Sequence, residues 1–305
     1  MVSSKKFKKI VILSGGVSEE KDISKLTANE VYKILRTKYN VELLNVTHNS
    51  KKLIDSLIRI NPDVAFNCLH GFFGEDGQIQ SILNFLRIPY THSGVMTSSV
   101  LMNKKISKII FSSLNVLTPK SINIMKKKIE KKIFPLIAKP VNGGSSNNLF
   151  KINNEKDLGF FLKKKQKIID NFIFEEFIPG REITVGVLDN KVCGVMEIVF
   201  NSEIYDFKNK YVKIAKHIIN PNVPKPIIKE LNQISLKIHK IMNCNCISRF
   251  DFRYNEKKNK IYLLEVNTQP GLTKNSLLPE MAENIGIDFF NLCQILIENP
   301  ICEKS

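Results

Sequence analysis

The hydrophobic positions change period along the chain, and those changes mark its elements. Lys9–Leu13 is a short apolar run ending in Ser14-Gly15-Gly16, which reads as a buried strand meeting a glycine turn. Ile23–Arg36 has helical spacing (Ile23, Leu26, Val31, Ile34, Leu35), and Val41–Val46 is β-prone. Leu53–Ile60 reads as a helix stopped by Pro62, with Val64–Cys68 as the next strand. Such short alternation predicts a parallel sheet with helices on its faces. Sheets of this kind place ligands beyond their strand ends, where Gly15-Gly16 and His70-Gly71 both fall.

A new organisation begins near Ser93. Val100–Leu114 reads as one helix, interrupted at Thr118-Pro119. Phe134–Pro140 reads as a strand entering the loop VNGGSSNN, and Asn171–Phe177 as a strand closed by Pro179-Gly180. Glu182–Leu188 and Lys191–Phe200 are strand-like runs joined by the tight-turn pair Asp189-Asn190. Asn201–Pro226 is polar with little periodicity. Ile227–Met242 and Met281–Asn299 read as helices.

The segment with the most chemistry is RFDFRYNEKKNKIYLLEVNTQPGLT, from Arg249 to Thr273. Glu265 and Asn267 stand two residues apart at the end of a β-prone run, so their side chains leave one face of a strand. If the run around Asp251 pairs with it across the polar NEKKNK, a second carboxylate reaches the same point. Two carboxylates and an amide oxygen are hard ligands of the kind Mg²⁺ takes when shared with nucleotide phosphates. The alternative is a hairpin with solvated charges, which leaves the carboxylate in LLEVN costly to bury.

With 305 residues, 43% of them hydrophobic, the chain can bury a large core, and two or three domains are expected. No apolar run approaches the ~18 residues of a membrane span. The run IVIL near the N-terminus is too short for a signal peptide and leads into glycines, so a cytoplasmic protein is expected. The six cysteines lack paired zinc spacing, which leaves free thiols as the expectation. A net charge of +17 raises the question of nucleic acid. The lysines, however, are spread through the chain without interleaved aromatics or a nucleic-acid motif, so neither a nucleic-acid nor a membrane partner is expected.

Other constellations are weaker alone. Lys139-Pro140 followed by Gly143-Gly144-Ser145-Ser146 could wrap phosphate oxygens, or be a structural turn. Phe174-Glu175-Glu176-Phe177-Ile178 could offer edge backbone groups to adenine and a carboxylate to ribose, or be an ordinary strand end. His70 could serve a site or the structure. Glu20 could cap backbone amides or meet a substrate ammonium. Tyr205–Tyr211 reads as an aromatic, charged loop of the kind that closes over a site.

Together these motifs resemble the D-alanine–D-alanine ligases of the ATP-grasp superfamily. The resemblance runs in order over nearly the whole chain: GGVSEEKDIS (15–24), LHGFFGEDGQIQ (69–80), PYTHSGVMTSSVLMNK (89–104), KPVNGGSSNN (139–148), YDFKNKY (205–211), and RFDF with LLEVNTQPGLTKNSLLP (249–279). It implies an α/β protein, α+β overall. A Rossmann-like parallel α/β domain at 1–96 would precede two ATP-grasp subdomains at 97–180 and 181–305.

The resemblance also implies roles. ATP would meet Lys104, Lys139, Gly144, Ser146 and Lys210, with Glu175, Glu176, Phe177, Ile178 and Glu182 around adenine and ribose. Asp251, Glu265 and Asn267 would hold two Mg²⁺ ions, for which Mn²⁺ could substitute. Glu20, Ser145 and Tyr211 would hold the first D-alanine, with His70 beside its carboxylate. Arg249 and the Gly271 N–H would stabilise the oxyanion, and Ser276 and Leu277 would take the second substrate's carboxylate. The implied reaction joins two D-alanines through a D-alanyl phosphate, releasing ADP and phosphate, for peptidoglycan precursors. D-Alanine–D-lactate or D-alanine–D-serine ligation is the alternative, and a homodimer is implied. Three residues or segments depart from the pattern. Asn148 stands where glycine is usual, in a turn that Asn tolerates; Glu176 stands where lysine is common; HIINPN (217–222) replaces the usual Cys-Pro-Ala.

Overall fold

A computed structural model of the chain describes residues 8–124, 131–143, 148–200 and 215–303. The first third forms the expected parallel sheet. β1 (Lys9–Gly15) lies between β2 (Asn40–Val46) and β3 (Val64–Asn67). Alternation along β1 sends its apolar side chains to two faces. Ile10 and Ile12 cluster with Ala28, Val31 and Leu35 of α1 (Lys21–Leu35). Val11 and Leu13 cluster with Leu53 and Leu57 of α2 (Ser50–Ile60). With both faces covered, the strand reads as a continuous apolar run.

Two segments that follow differ from the pattern read off the sequence. α3 (Gln78–Phe85) was not marked by periodicity; its Ile79 and Leu83 join the α2 side of the sheet. The single helix expected over Val100–Leu114 is two, α4 (Val95–Met102) and α5 (Lys104–Ser113). Asn103 breaks it with an extended backbone, and its side chain accepts from Lys105 N and Ile106 N, both at 3.1 Å. This local bond competes with helix continuation and caps α5.

The second half builds two antiparallel sheets. β4 (Leu136–Pro140) lies between β5 (Phe150–Ile152) and β6 (Phe172–Glu176), backed by α6 (Glu155–Lys165). Phe161 of α6 meets Phe172 and Phe174 edge-on, with centroids 5.3 and 5.7 Å away. β5 and α6 carried no clear sequence signal. The larger sheet has the order β11-β10-β7-β8-β9, from β7 (Arg181–Leu188), β8 (Lys191–Val199), β9 (Lys216–Ile219), β10 (Ile247–Asn255) and β11 (Lys260–Asn267). Asp189 and Asn190 turn between β7 and β8 at φ 48 and 60°, the conformation their residue types favour. β9 falls within the segment read as aperiodic.

α7 (Lys225–Ile241) covers one face of this sheet through Ile227, Leu231 and Ile238. The last helix expected over Met281–Asn299 is also two, α8 (Leu277–Asn284) and α9 (Phe289–Glu298), parted at Gly286 with φ 85°. α9 packs on the β1–α1 core through Leu292 and Leu296, and Ile301 pairs with Tyr90. The end of the described chain is thereby joined to its beginning. No helix among the described residues is long and apolar enough to cross a membrane.

Candidate active site

β10 and β11 pair as the expected hairpin. Asp251 stands opposite Glu265 and Arg249 opposite Asn267, with a register shift just after Asp251. Thr184 of β7 faces Asp251 from the other side. The Asp251 carboxylate accepts from Thr184 Oγ1 at 2.7 Å, from Arg249 Nε and Nη2 at 2.9 and 2.8 Å, and from Asn267 Nδ2 at 3.1 Å. Such charge-assisted, two-pronged contacts hold a carboxylate in one orientation. Arg253, two residues further along β10, pairs with Glu182 at 3.2 Å and donates to the Gly180 carbonyl at 2.8 Å.

The smaller sheet and α5 supply the cations. Lys139 on β4 reaches Glu175 on β6 at 2.7 Å, and Lys108 on α5 contacts the other Glu175 oxygen and the Pro119 carbonyl. Glu175 is only 2% exposed. Burial pushes its carboxyl up, but Lys139 and Lys108 outweigh burial and hold it below the ordinary range. Burial pushes the Lys108 ammonium down, opposed by Glu175. Lys104, the first residue of α5, lies 3.4 Å from Glu265 and donates to the Gly143 carbonyl at 2.6 Å.

Between the two sheets lies an open cleft. Lys104, Lys139, Glu175, Glu176, Phe177, Ile178 and Glu182 line it, with Arg249, Asp251, Glu265 and Leu277 at its floor and end. A smaller recess continues from it past Glu265 and Asn267 to Glu75.

Glu75 belongs to the histidine loop after β3. It accepts from Gly71 N at 3.0 Å and lies 3.2 Å from His70 Nδ1, while His70 Nε2 meets Thr27 Oγ1 at 3.1 Å. Both ring nitrogens are therefore engaged and the ring is fixed. Glu20 is buried at the start of α1, and a side chain at Gly71 would fall 2.6 Å from its carboxylate. Gly71 also has φ 67°, a conformation glycine adopts without strain.

At the far end, Ser276 precedes α8. Its hydroxyl accepts from Thr273 N at 3.1 Å and meets Thr273 Oγ1 at 2.8 Å. A side chain at Gly271 would come within 3.1 Å of this hydroxyl. The short helix thus begins beside the Gly271 backbone.

The chain matches the profile described as "D-ala D-ala ligase C-terminus" over residues 106–298 and that described as "D-ala D-ala ligase N-terminus" over 51–93. It is 43% identical to the D-alanine–D-alanine ligase of Pelagibacter ubique, over 96% of this chain and 98% of that one. Against the ligase of Wolbachia pipientis wMel it is 42% identical, over 97% and 95%. The chain belongs to the D-alanine–D-alanine ligase family. Its backbone superposes on the crystal structure of the Bacillus anthracis D-alanine–D-alanine ligase complexed with ATP with a TM-score of 0.80. That comparison has 30% identity and covers 96% of this chain and 97% of the other. The fold is accordingly ATP-grasp, with an N-terminal parallel α/β part.

In this ligase-family chain, the assigned Lys104 and Lys139, the β6 segment, Glu182, Arg249, Asp251, Glu265 and Leu277 line the cleft and Asn267 lines the recess, while Glu20, His70, Gly271 and Ser276 line neither. Gly144, Ser145, Ser146, Lys210 and Tyr211 lie outside the described residues. Asn148, the substitution for glycine, adopts φ 60°, as the tolerance of Asn for that region anticipates. The Glu176 side chain accepts from Lys120 N at 2.9 Å, bracing the segment beside β6. His217, in the departure from Cys-Pro-Ala, pairs with Glu280 of α8 at 2.8 Å.

Sequence reading missed Lys108, Thr184 and Arg253. Arg253 was within reach as the next same-face residue after Arg249 and Asp251. Lys108 lies one helical turn after Lys104, but one lysine in a lysine-rich chain carries no signal of its own.

Proposed function

We propose that this protein joins two D-alanines to D-alanyl-D-alanine at the cost of ATP, and that the cleft between its antiparallel sheets is the ATP site. The observation that carries the reading is the Asp251–Glu265 pair facing the cleft below Lys104 and Lys139, in a chain of this family. The γ-phosphoryl group passes to a carboxylate oxygen of the first D-alanine, and ADP is released. The amine of the second attacks the acyl carbon, its proton is lost, and the C–O bond to phosphate breaks.

The residues supply binding and charge. Lys104 and Lys139 neutralise phosphate oxygens, while Glu175 keeps Lys139 in place. Glu182 suits the ribose hydroxyls. The Ile178 N–H meets no acceptor among the described residues, and with the Glu176 carbonyl it offers an adenine edge. Asp251, Glu265 and Asn267 are a hard-oxygen set that fits Mg²⁺, which when bound would neutralise phosphate charge. Arg249, now paired with Asp251, can turn to the oxyanion formed at the acyl carbon, beside the Gly271 N–H.

The recess running to Glu75 suits the first D-alanine, with His70 near its carboxylate and Glu20 near its ammonium. The start of α8 at Ser276 and Leu277 suits the second carboxylate, because helix N-termini attract anions. Gly144, Ser145, Ser146, Lys210 and Tyr211 complete the site in this reading, within a three-part chain divided at 1–96, 97–180 and 181–305. The working protein is a cytoplasmic homodimer. The test is product analysis with D-alanine, D-lactate and D-serine in competition. D-Alanyl-D-alanine as the main product upholds the reading, and a depsipeptide or a D-alanyl-D-serine product overturns it at the acceptor.

A further inference from the structure

Two amides bridge the histidine loop to the loop that carries Gly271, and neither has a role in the chemistry above. Gln269 lies between Asn267 and Gly271 and is 4% exposed; Asn67, the last residue of β3, is fully buried. Asn67 Nδ2 donates to Gln269 Oε1 at 2.8 Å and to the Gly74 carbonyl at 2.9 Å, while Asn67 Oδ1 accepts from Leu69 N at 3.1 Å. Gln269 Nε2 returns the contact by donating to the Leu69 carbonyl. Gln80 Nε2 donates to the same Gly74 carbonyl at 2.9 Å. A side chain at Gly74 would fall 2.5 Å from Leu69 Cβ, so the loop is packed tightly on itself at this point.

We propose that Gln269 and Asn67 are positioning residues that hold the first-substrate loop at a fixed distance from the acceptor loop. The idea rests on the functional reading of those two loops and extends it. Leu69 adjoins His70, and Gln269 stands two residues from Gly271, so the clamp acts on both amino-acid subsites at once. The lysines and β6 backbone that would hold nucleotide lie elsewhere. Each amide is satisfied through both of its polar ends, so neither can be lost without stranding buried partners. A shift of about 1 Å between reacting groups is enough to cost on the order of 100-fold in rate.

The test measures wild type, Gln269→Met and Asn67→Asp for thermal midpoint, KM for ATP, KM for D-alanine, and ADP released per dipeptide formed. Gln269→Met keeps the length and removes both bonds. Asn67→Asp keeps the acceptor for Leu69 N and loses both donors, and it serves if the first variant fails to fold. The clamp predicts a KM for D-alanine raised about tenfold or more, an ADP-to-dipeptide ratio above one, and a KM for ATP within twofold of wild type. A D-alanine KM within twofold of wild type overturns the clamp. So does an equal rise in both KM values, or a fall in thermal midpoint with unchanged KM values. If wild type itself makes no dipeptide, the functional reading fails, and the clamp fails with it as a positioning device.

Discussion

Lys108 shows how one charge can hold a wall of the site. It and Lys139 share the buried Glu175 carboxylate, so Lys108→Met would leave one cation where two now stand. Removing one partner of a buried pair costs about 3–5 kcal/mol when nothing replaces it. With Lys139 still present, urea unfolding should report about 1–3 kcal/mol lost, together with a raised KM for ATP. Unchanged values for both would show that the network is passive. Two buried histidines set a pH limit on stability. Burial lowers His92 to about 3 and His239 to about 4, and the Nε2 of each has no hydrogen-bond partner among the described residues. The unfolded chain binds protons near pH 6.5, whereas these sites resist them. Stability is therefore complete above pH 6.5 and declines as pH falls towards 4. Thermal midpoints between pH 7 and 4 should show this decline, and His239→Asn should make it shallower. An equal slope in that variant would assign the effect elsewhere.

At the scale of elements, the cap at Asn103 decides where α5 begins and so where Lys104 sits. Asn103→Ala should cost about 1 kcal/mol and raise the KM for ATP. Urea unfolding and initial-rate kinetics check the two parts, and a stability loss without a change in KM would detach the cap from the site. The same residue explains a limit of sequence reading. Apolar spacing runs through it, so period alone predicted one helix, and the cap signature in Met102-Asn103-Lys104 went unused. The hairpin was legible because period two and a polar turn fix both pairing and facing, which put Asp251 opposite Glu265. α6 was hidden by its lysine-rich face, and α3 by its brevity. Bonds such as Gln269 to Asn67 join residues 202 apart in sequence, so no local pattern could mark them.

At the scale of the molecule, the cleft is built from two sheets, while α9 and Ile301 return onto the first core. A ligand that bridges the sheets should stabilise the whole chain by mass action, by about 2.7 kcal/mol at one hundred times its dissociation constant. A non-hydrolysable ATP analogue with Mg²⁺ should therefore raise the thermal midpoint, and removing Mg²⁺ with chelator should reduce the rise. An equal shift with and without Mg²⁺ would separate Asp251, Glu265 and Asn267 from metal binding. The central claim is tested most directly by D-alanine-dependent ADP release and dipeptide formation in wild type and Glu265→Gln with Mg²⁺ present. Turnover in wild type that falls on the order of 100-fold or more in the variant is the predicted result. Absence of D-alanine-dependent turnover in wild type, or full activity in Glu265→Gln, would contradict it.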